Sequence, residues 1–85
     1  MILNKQNLKN KIIYRASYRG TKEMDILMIG FVRSILDKLN LDQLKVLSDF
    51  VNIDDETLLS FKNKESVINF NDEIMLNIID KFQKY

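Results

Sequence analysis

The residues best placed to do chemistry or recognition lie between Tyr14 and Asp25, in the run YRASYRGTKEMD. Tyr14 and Tyr18 are four apart and share one helix face, and Arg15 and Arg19 are four apart on the adjacent face. Gly20 follows at once, where a left-handed residue ends a helix without a Cβ penalty. Glu23 falls in the first turn of the next helix, where a negative charge suits the dipole and where it could face Arg19. Arg, Tyr and carboxylate packed this closely are the residue types enriched at protein–protein hot spots. Two readings stand side by side: a surface for another protein, or an internal Arg19–Glu23 pair closing a tight corner. Asp25 and Lys22 flank either one.

Other chemistries find little support. Cysteine and histidine are both absent, which removes disulfides, thiolate nucleophiles, the commonest metal ligand and the usual general base near neutral pH. With two glycines ten residues apart, no phosphate-cradling loop can be built. Asp54-Asp55-Glu56 precedes an apolar run and reads as a helix N-cap with dipole support rather than a hard-cation site, whose ligands are spaced around a loop. Asp72-Glu73 reads the same way. Met24, Met28 and Met75 sit at core spacing and read as packing. No catalytic triad or zinc spacing is present, so the chain reads as a non-enzyme with no catalytic residue, no metal and no cofactor of its own.

The charge is uneven although the net value is only +1. The first 22 residues carry six basic side chains and no acid, and the remainder carries seven basic and twelve acidic ones. Such asymmetry can steer a partner of opposite sign, or mark no more than a solvated basic helix. Nucleic-acid binding is disfavoured, because the isoelectric point near 7.9 is far from strongly basic and no recognition motif occurs. No apolar run approaches the roughly 20 residues a membrane span needs. The N-terminus carries no signal-peptide core, and bacterial cytoplasm is the expected location.

The elements that must position the cluster are helices. Proline is absent, and apolar residues recur at three and four rather than at two. The spacing predicts a first helix over about Gln6–Tyr18, with Leu8, Ile12, Ile13 and Ala16 inward. A second runs from Thr21 or Lys22 to Leu39, with Met24, Leu27, Met28, Phe31, Ile35 and Leu39 as its stripe, widened by Ile26, Ile29 and Val32. Gly30 within it implies close approach of a neighbouring helix. Asn40 and Gln43 predict a capping box opening a third helix with Leu44, Leu47, Phe50 and Val51 inward. Asp54 or Asp55 caps a short fourth helix carrying Leu58, Leu59 and Phe61. Asn63 to Asn69 reads as a polar loop, and Asn71 or Asp72 caps a last helix with Ile74, Met75, Ile78, Ile79 and Phe82 as its core face. The fold expected over residues 1–85 is all-α, a compact five-helix bundle in a single domain.

The segment IIYRASYRGTKEMDILMIGF closely resembles the signature of the succinate dehydrogenase flavinylation-factor family, the SdhE-type assembly factors of bacteria and mitochondria. That family carries Arg-Gly-x-x-Glu at a helix–helix corner, here Arg19-Gly20-Thr21-Lys22-Glu23. The lead-in Ile13-Tyr14-Arg15-Ala16, the apolar run Ile26 to Phe31 and the segment Leu58-Leu59-Ser60-Phe61 extend the likeness over nearly the whole chain. Phe61 stands where members usually have Trp, and the proline often found before the last helix is missing. The resemblance implies a five-helix protein that binds the flavoprotein subunit of succinate dehydrogenase, and in some bacteria that of fumarate reductase. It implies promotion of covalent FAD attachment to a histidine of that subunit. The FAD belongs to the client, the bond-forming chemistry to the client and FAD, and the factor acts as a monomer. Carried onto this sequence, the contact residues are Arg19, Gly20 and Glu23, flanked by Tyr14, Arg15 and Asp25, with Arg19 either meeting the client or orienting Glu23. The alternatives are a regulatory, antitoxin-like helical module with another protein partner, and an FAD-attaching enzyme in its own right, which the lack of a phosphate-binding loop disfavours.

Overall fold

The computed structural model describes residues 4–64 and 71–85. Among the described residues five α-helices follow one another: α1 (Lys5–Ser17), α2 (Lys22–Ile35), α3 (Leu41–Val51), α4 (Asp55–Lys62) and α5 (Glu73–Lys84). A 3-10 turn, Leu36–Lys38, joins α2 to α3. The protein is the all-α bundle its periodicity predicts, with a radius of gyration of 12.4 Å, close to the roughly 12 Å of a compact chain this long. The expected polar loop from Asn63 lies mostly outside the described residues.

Each helix begins on a side chain that accepts one of the otherwise unpaired first-turn N–H groups. Asn4 serves the N–H of Asn7, Thr21 that of Met24, Asp54 that of Thr57 and Asp72 that of Ile74. Asn40 and Gln43 form the predicted box: the Gln43 N–H donates to Asn40 Oδ1 and the Asn40 N–H donates to Gln43 Oε1, both at 2.9 Å. The first helix starts at Lys5, one residue before the expected Gln6, on Asn4, a cap that the apolar stripe did not mark.

The second helix departs from expectation in two ways. It gives up α geometry after Ile35, and the tighter 3-10 turn seats both Leu36 and Leu39 in the core while freeing Asn40 to start α3. Ile26, expected to widen the buried stripe, is 62% exposed. It lies about 200° around the helix from Met24, opposite the face formed by Met24, Met28, Phe31, Val32 and Ile35.

The core centres on three phenylalanines from three helices. Phe31, Phe50 and Phe82 pack edge-to-face with ring centroids 5.1–5.8 Å apart, and all three are buried. Leu44, Leu47, Leu58, Ile12, Met28 and Ile79 close around them. The close neighbour of Gly30 proves to be a side chain rather than a helix backbone: a Cβ there would run into the Tyr85 hydroxyl. The Tyr85 ring also lies 5.7 Å from that of Phe31. Lys62 fastens the same end, its Nζ donating to the carbonyls of Phe82 at 2.8 Å and Tyr85 at 3.0 Å. Against this frame α1 packs on both α2 and α3, so the end of α1 is brought beside the start of α4.

Candidate functional site at the corner of the first two helices

The corner is made by local chemistry first. Ala16, fully buried, holds the last turn of α1 against the core, and the helix stops at Ser17 with Tyr18 in neither helical nor extended geometry (φ −129°, ψ 71°). Gly20 has φ +116°, in a region L side chains rarely adopt. It stands two residues beyond the helix cap rather than immediately after the helix, so it turns the chain toward α2 instead of closing α1. A Cβ built at Gly20 meets nothing within 4 Å, so only the backbone requires glycine here. Thr21 then caps α2, and Asp25 Oδ1 reaches back to accept the Arg19 N–H at 2.5 Å. Cap and carboxylate lock the corner from the α2 side.

The Arg19 side chain leaves the corner in the other direction. Its Nε donates to Asp55 Oδ1 at 2.9 Å, and Nη2 lies 2.9 Å from the same oxygen. Nη1 also donates to the Val51 carbonyl and Nη2 to the Ile53 carbonyl. The planar guanidinium suits this task, because it offers five donors in a fixed fork. Val51 ends α3 and leaves carbonyls without helical partners; Arg19 satisfies that end and the following turn together. The Arg19 side chain is only 6% exposed, against 29% for Asp55. The internal Arg19–Glu23 pair, one of the two readings of the corner, is not formed; Arg19 pairs with Asp55 instead. Glu23 is exposed, and among the described residues it makes no ion pair or side-chain hydrogen bond.

Tyr14 and Tyr18 stack at 4.8 Å with planes tilted by 45°, and they are 64% and 68% exposed. Arg15, also exposed, donates through Nε to Asn52 Oδ1 at 2.8 Å, and Asn52 in turn donates to the Ser48 carbonyl at 2.9 Å. Between the end of α1 and the α3–α4 turn lies an open groove of about 370 Å³, lined by Arg15, Tyr18, Arg19, Asn52, Ile53, Asp54 and Asp55. The Asp54 carboxyl is held below the usual value by the Thr57 hydroxyl, then by the Thr57 N–H it caps.

Of the six residues singled out in the sequence, Tyr14, Arg15, Gly20 and Glu23 are exposed, Arg15 being also bonded to Asn52, while Arg19 and Asp25 are partly buried and bonded within the chain. Asn52 and Asp55 were missed as members of this site. Asp55 is 36 positions from Arg19, and no spacing rule links them; its acidic neighbours were explained by the cap that Asp54 supplies. No group of three or more metal-ligating side chains occurs among the described residues, and no described helix is long and apolar enough to cross a membrane.

The model of a family described as flavinator of succinate dehydrogenase matches residues 10–83. The chain belongs to that family. The flavinator family is an assembly factor for FAD attachment rather than a catalyst, and the antitoxin-like alternative is not favoured. The flavinator's partner is the flavoprotein subunit of succinate dehydrogenase. Searches of curated proteins and of solved structures each found no match.

Proposed function

We propose that the exposed face of the α1–α2 corner is where this flavinator meets the flavoprotein subunit, and that it contributes position rather than a reacting group. The observation that carries this reading is the asymmetry between the two charges of the corner. Arg19 is bonded on all sides within the chain, whereas Glu23 projects from the first turn of α2 without an ion pair among the described residues. Exposed on the segment that makes the corner, a carboxylate, two tyrosines and Arg15 are residue types of hot-spot composition. Gly20 keeps that surface low, since nothing of this chain occupies the space above it.

On this reading the factor binds one conformation of the flavoprotein better than others, and so populates the geometry in which flavin and acceptor side chain can react. A binder shifts its client only through such a preference, and positioning alone can accelerate bond formation greatly. The chain needs no cofactor or catalytic group of its own for this, and FAD stays with the client. It acts as a monomer in the bacterial cytoplasm, and a fumarate reductase flavoprotein is a second client of the same chemistry.

Affinity for the purified flavoprotein subunit tests the assignment. Glu23→Ala and Gly20→Arg should each weaken binding about tenfold or more, as loss of a hot-spot contact does, while Lys38→Ala in the 3-10 turn that follows α2 leaves it unchanged. Equal affinity for all four proteins would place the contact surface elsewhere.

A further inference from the structure

We propose that the α3–α4 turn together with the first residue of α4, residues 52–55, forms a second wall of the partner-binding surface, and that Arg19 is a positioning residue that holds this wall against the corner. The proposal rests on the corner reading above and extends it to an element 30 residues further along the chain.

Three observations converge on this turn. The Arg19 guanidinium takes the carbonyls of Val51 and Ile53 and the Asp55 carboxylate, one acceptor group on each side of the turn and one within it. Arg15 adds a second crossing through Asn52. The two arginines thus reach across from the end of α1 and from the corner that follows it to the same short α3–α4 connection. The open groove between them is continuous with the corner, because Arg15, Tyr18 and Arg19 belong to both.

Chemistry defines what the groove fits. The Arg19 charge is compensated by Asp55 within the chain. The terminal nitrogens of Arg15, by contrast, have no partner among the described residues, and Asp54 keeps acceptor capacity beyond its two bonds to Thr57. A cationic donor and an anionic acceptor at the two sides of a polar cleft, with the Tyr18 ring at its rim, suit a polar loop of the flavoprotein. Such a loop brings both donors and acceptors; an apolar helix would leave these groups unpaired. Lysine could not replace Arg19 in this role, since a single ammonium cannot present a planar fork to three separated acceptors.

The test measures affinity for the flavoprotein subunit well below the unfolding temperature, where a loss of stability alone does not change the fraction folded. Asn52→Trp places a ring into the groove from an exposed position, and Lys38→Trp is the matched control. The proposal predicts that Asn52→Trp, which also gives up the Asn52 bonds to Arg15 and Ser48, weakens binding about tenfold or more while staying folded at the assay temperature, and that Lys38→Trp binds as wild type. It further predicts that Arg19→Ala and Asp55→Ala each weaken binding and that the double variant is no weaker than the worse single one, because both cut the same tether. Asp55→Glu should recover most of the affinity. Wild-type affinity in Asn52→Trp, with Glu23→Ala still impaired, would overturn the second wall and leave the corner standing. Impaired Asn52→Trp with unimpaired Glu23→Ala would keep the turn and overturn the corner. Additive effects of Arg19→Ala and Asp55→Ala would refute the positioning role.

Discussion

Truncating Arg19 and truncating Glu23 should have opposite profiles, although the two residues sit four positions apart in one motif. Arg19→Ala strips three acceptor groups of their partner: the Val51 and Ile53 carbonyls and the Asp55 carboxylate. Each hydrogen bond to a charged group is worth about 1.5–3 kcal/mol when its partner stays dry. Asp55 is 29% exposed, so water replaces part of what is lost. A cost of about 2–4 kcal/mol follows, below the simple sum for that reason. For a domain of this size that corresponds to a fall in unfolding midpoint of roughly 10–25 °C. Glu23→Ala removes an exposed side chain whose only stabilising role is at the N-terminus of α2, so it costs less than about 1 kcal/mol. Urea unfolding followed by circular dichroism reads both, with the slope checked for constancy so that the midpoints report stability. Equal stabilities for the two variants, or a larger loss for Glu23→Ala, would refute the view that Arg19 serves the fold while Glu23 serves the surface.

Three further outcomes follow from the same geometry. Gly20→Ala should cost about 1–3 kcal/mol from backbone strain at φ +116°, whereas D-alanine introduced there by chemical synthesis should leave stability intact, since the Cβ meets open space; loss of client affinity in the D-alanine protein then measures the clearance the partner needs. Gly30→Ala should gain little alone because its Cβ displaces the Tyr85 ring, but in a Tyr85→Ser background it should stabilise by up to about 1 kcal/mol through helix propensity, and additivity of the two changes in thermal unfolding would contradict the contact. The Asp54 carboxyl is depressed in the folded state, so its contribution is present above the unfolded value near 3.8 and is lost as pH falls through the folded one; Asp54→Asn, which keeps a capping oxygen without titrating, should therefore show a flatter acid limb in unfolding experiments across that range.

The helices and most of their caps were legible because both are local. Alternation at three and four marks the buried stripe wherever one face meets the core, and Asn40 with Gln43 formed the box its spacing announced. Ile26 was misplaced because an apolar residue outside the stripe carries no local mark of exposure. The ending of α2 was misjudged for a related reason: Leu36 and Leu39 fit both an α and a 3-10 continuation, and the tertiary need to begin α3 at Asn40 decided between them. At the candidate site, the corner residues were readable as a motif, and the positive φ of Gly20 followed from its type. The Arg19 tether to Asp55 was not readable. It joins residues 36 apart through the packing of α1 on α3, and the nearer Glu23 offered an equally plausible carboxylate.

The central claim is that this flavinator promotes covalent flavin attachment through its α1–α2 corner. The most direct measurement is covalent flavin on the client: the succinate dehydrogenase flavoprotein subunit co-expressed with wild type, Glu23→Ala, Gly20→Arg or empty vector, and read by flavin fluorescence after denaturing electrophoresis. The account predicts a strong client band with wild type and a band near the empty-vector level with either variant, each variant being folded by circular dichroism. A wild-type band no brighter than empty vector, or full flavin with both folded corner variants, would contradict it.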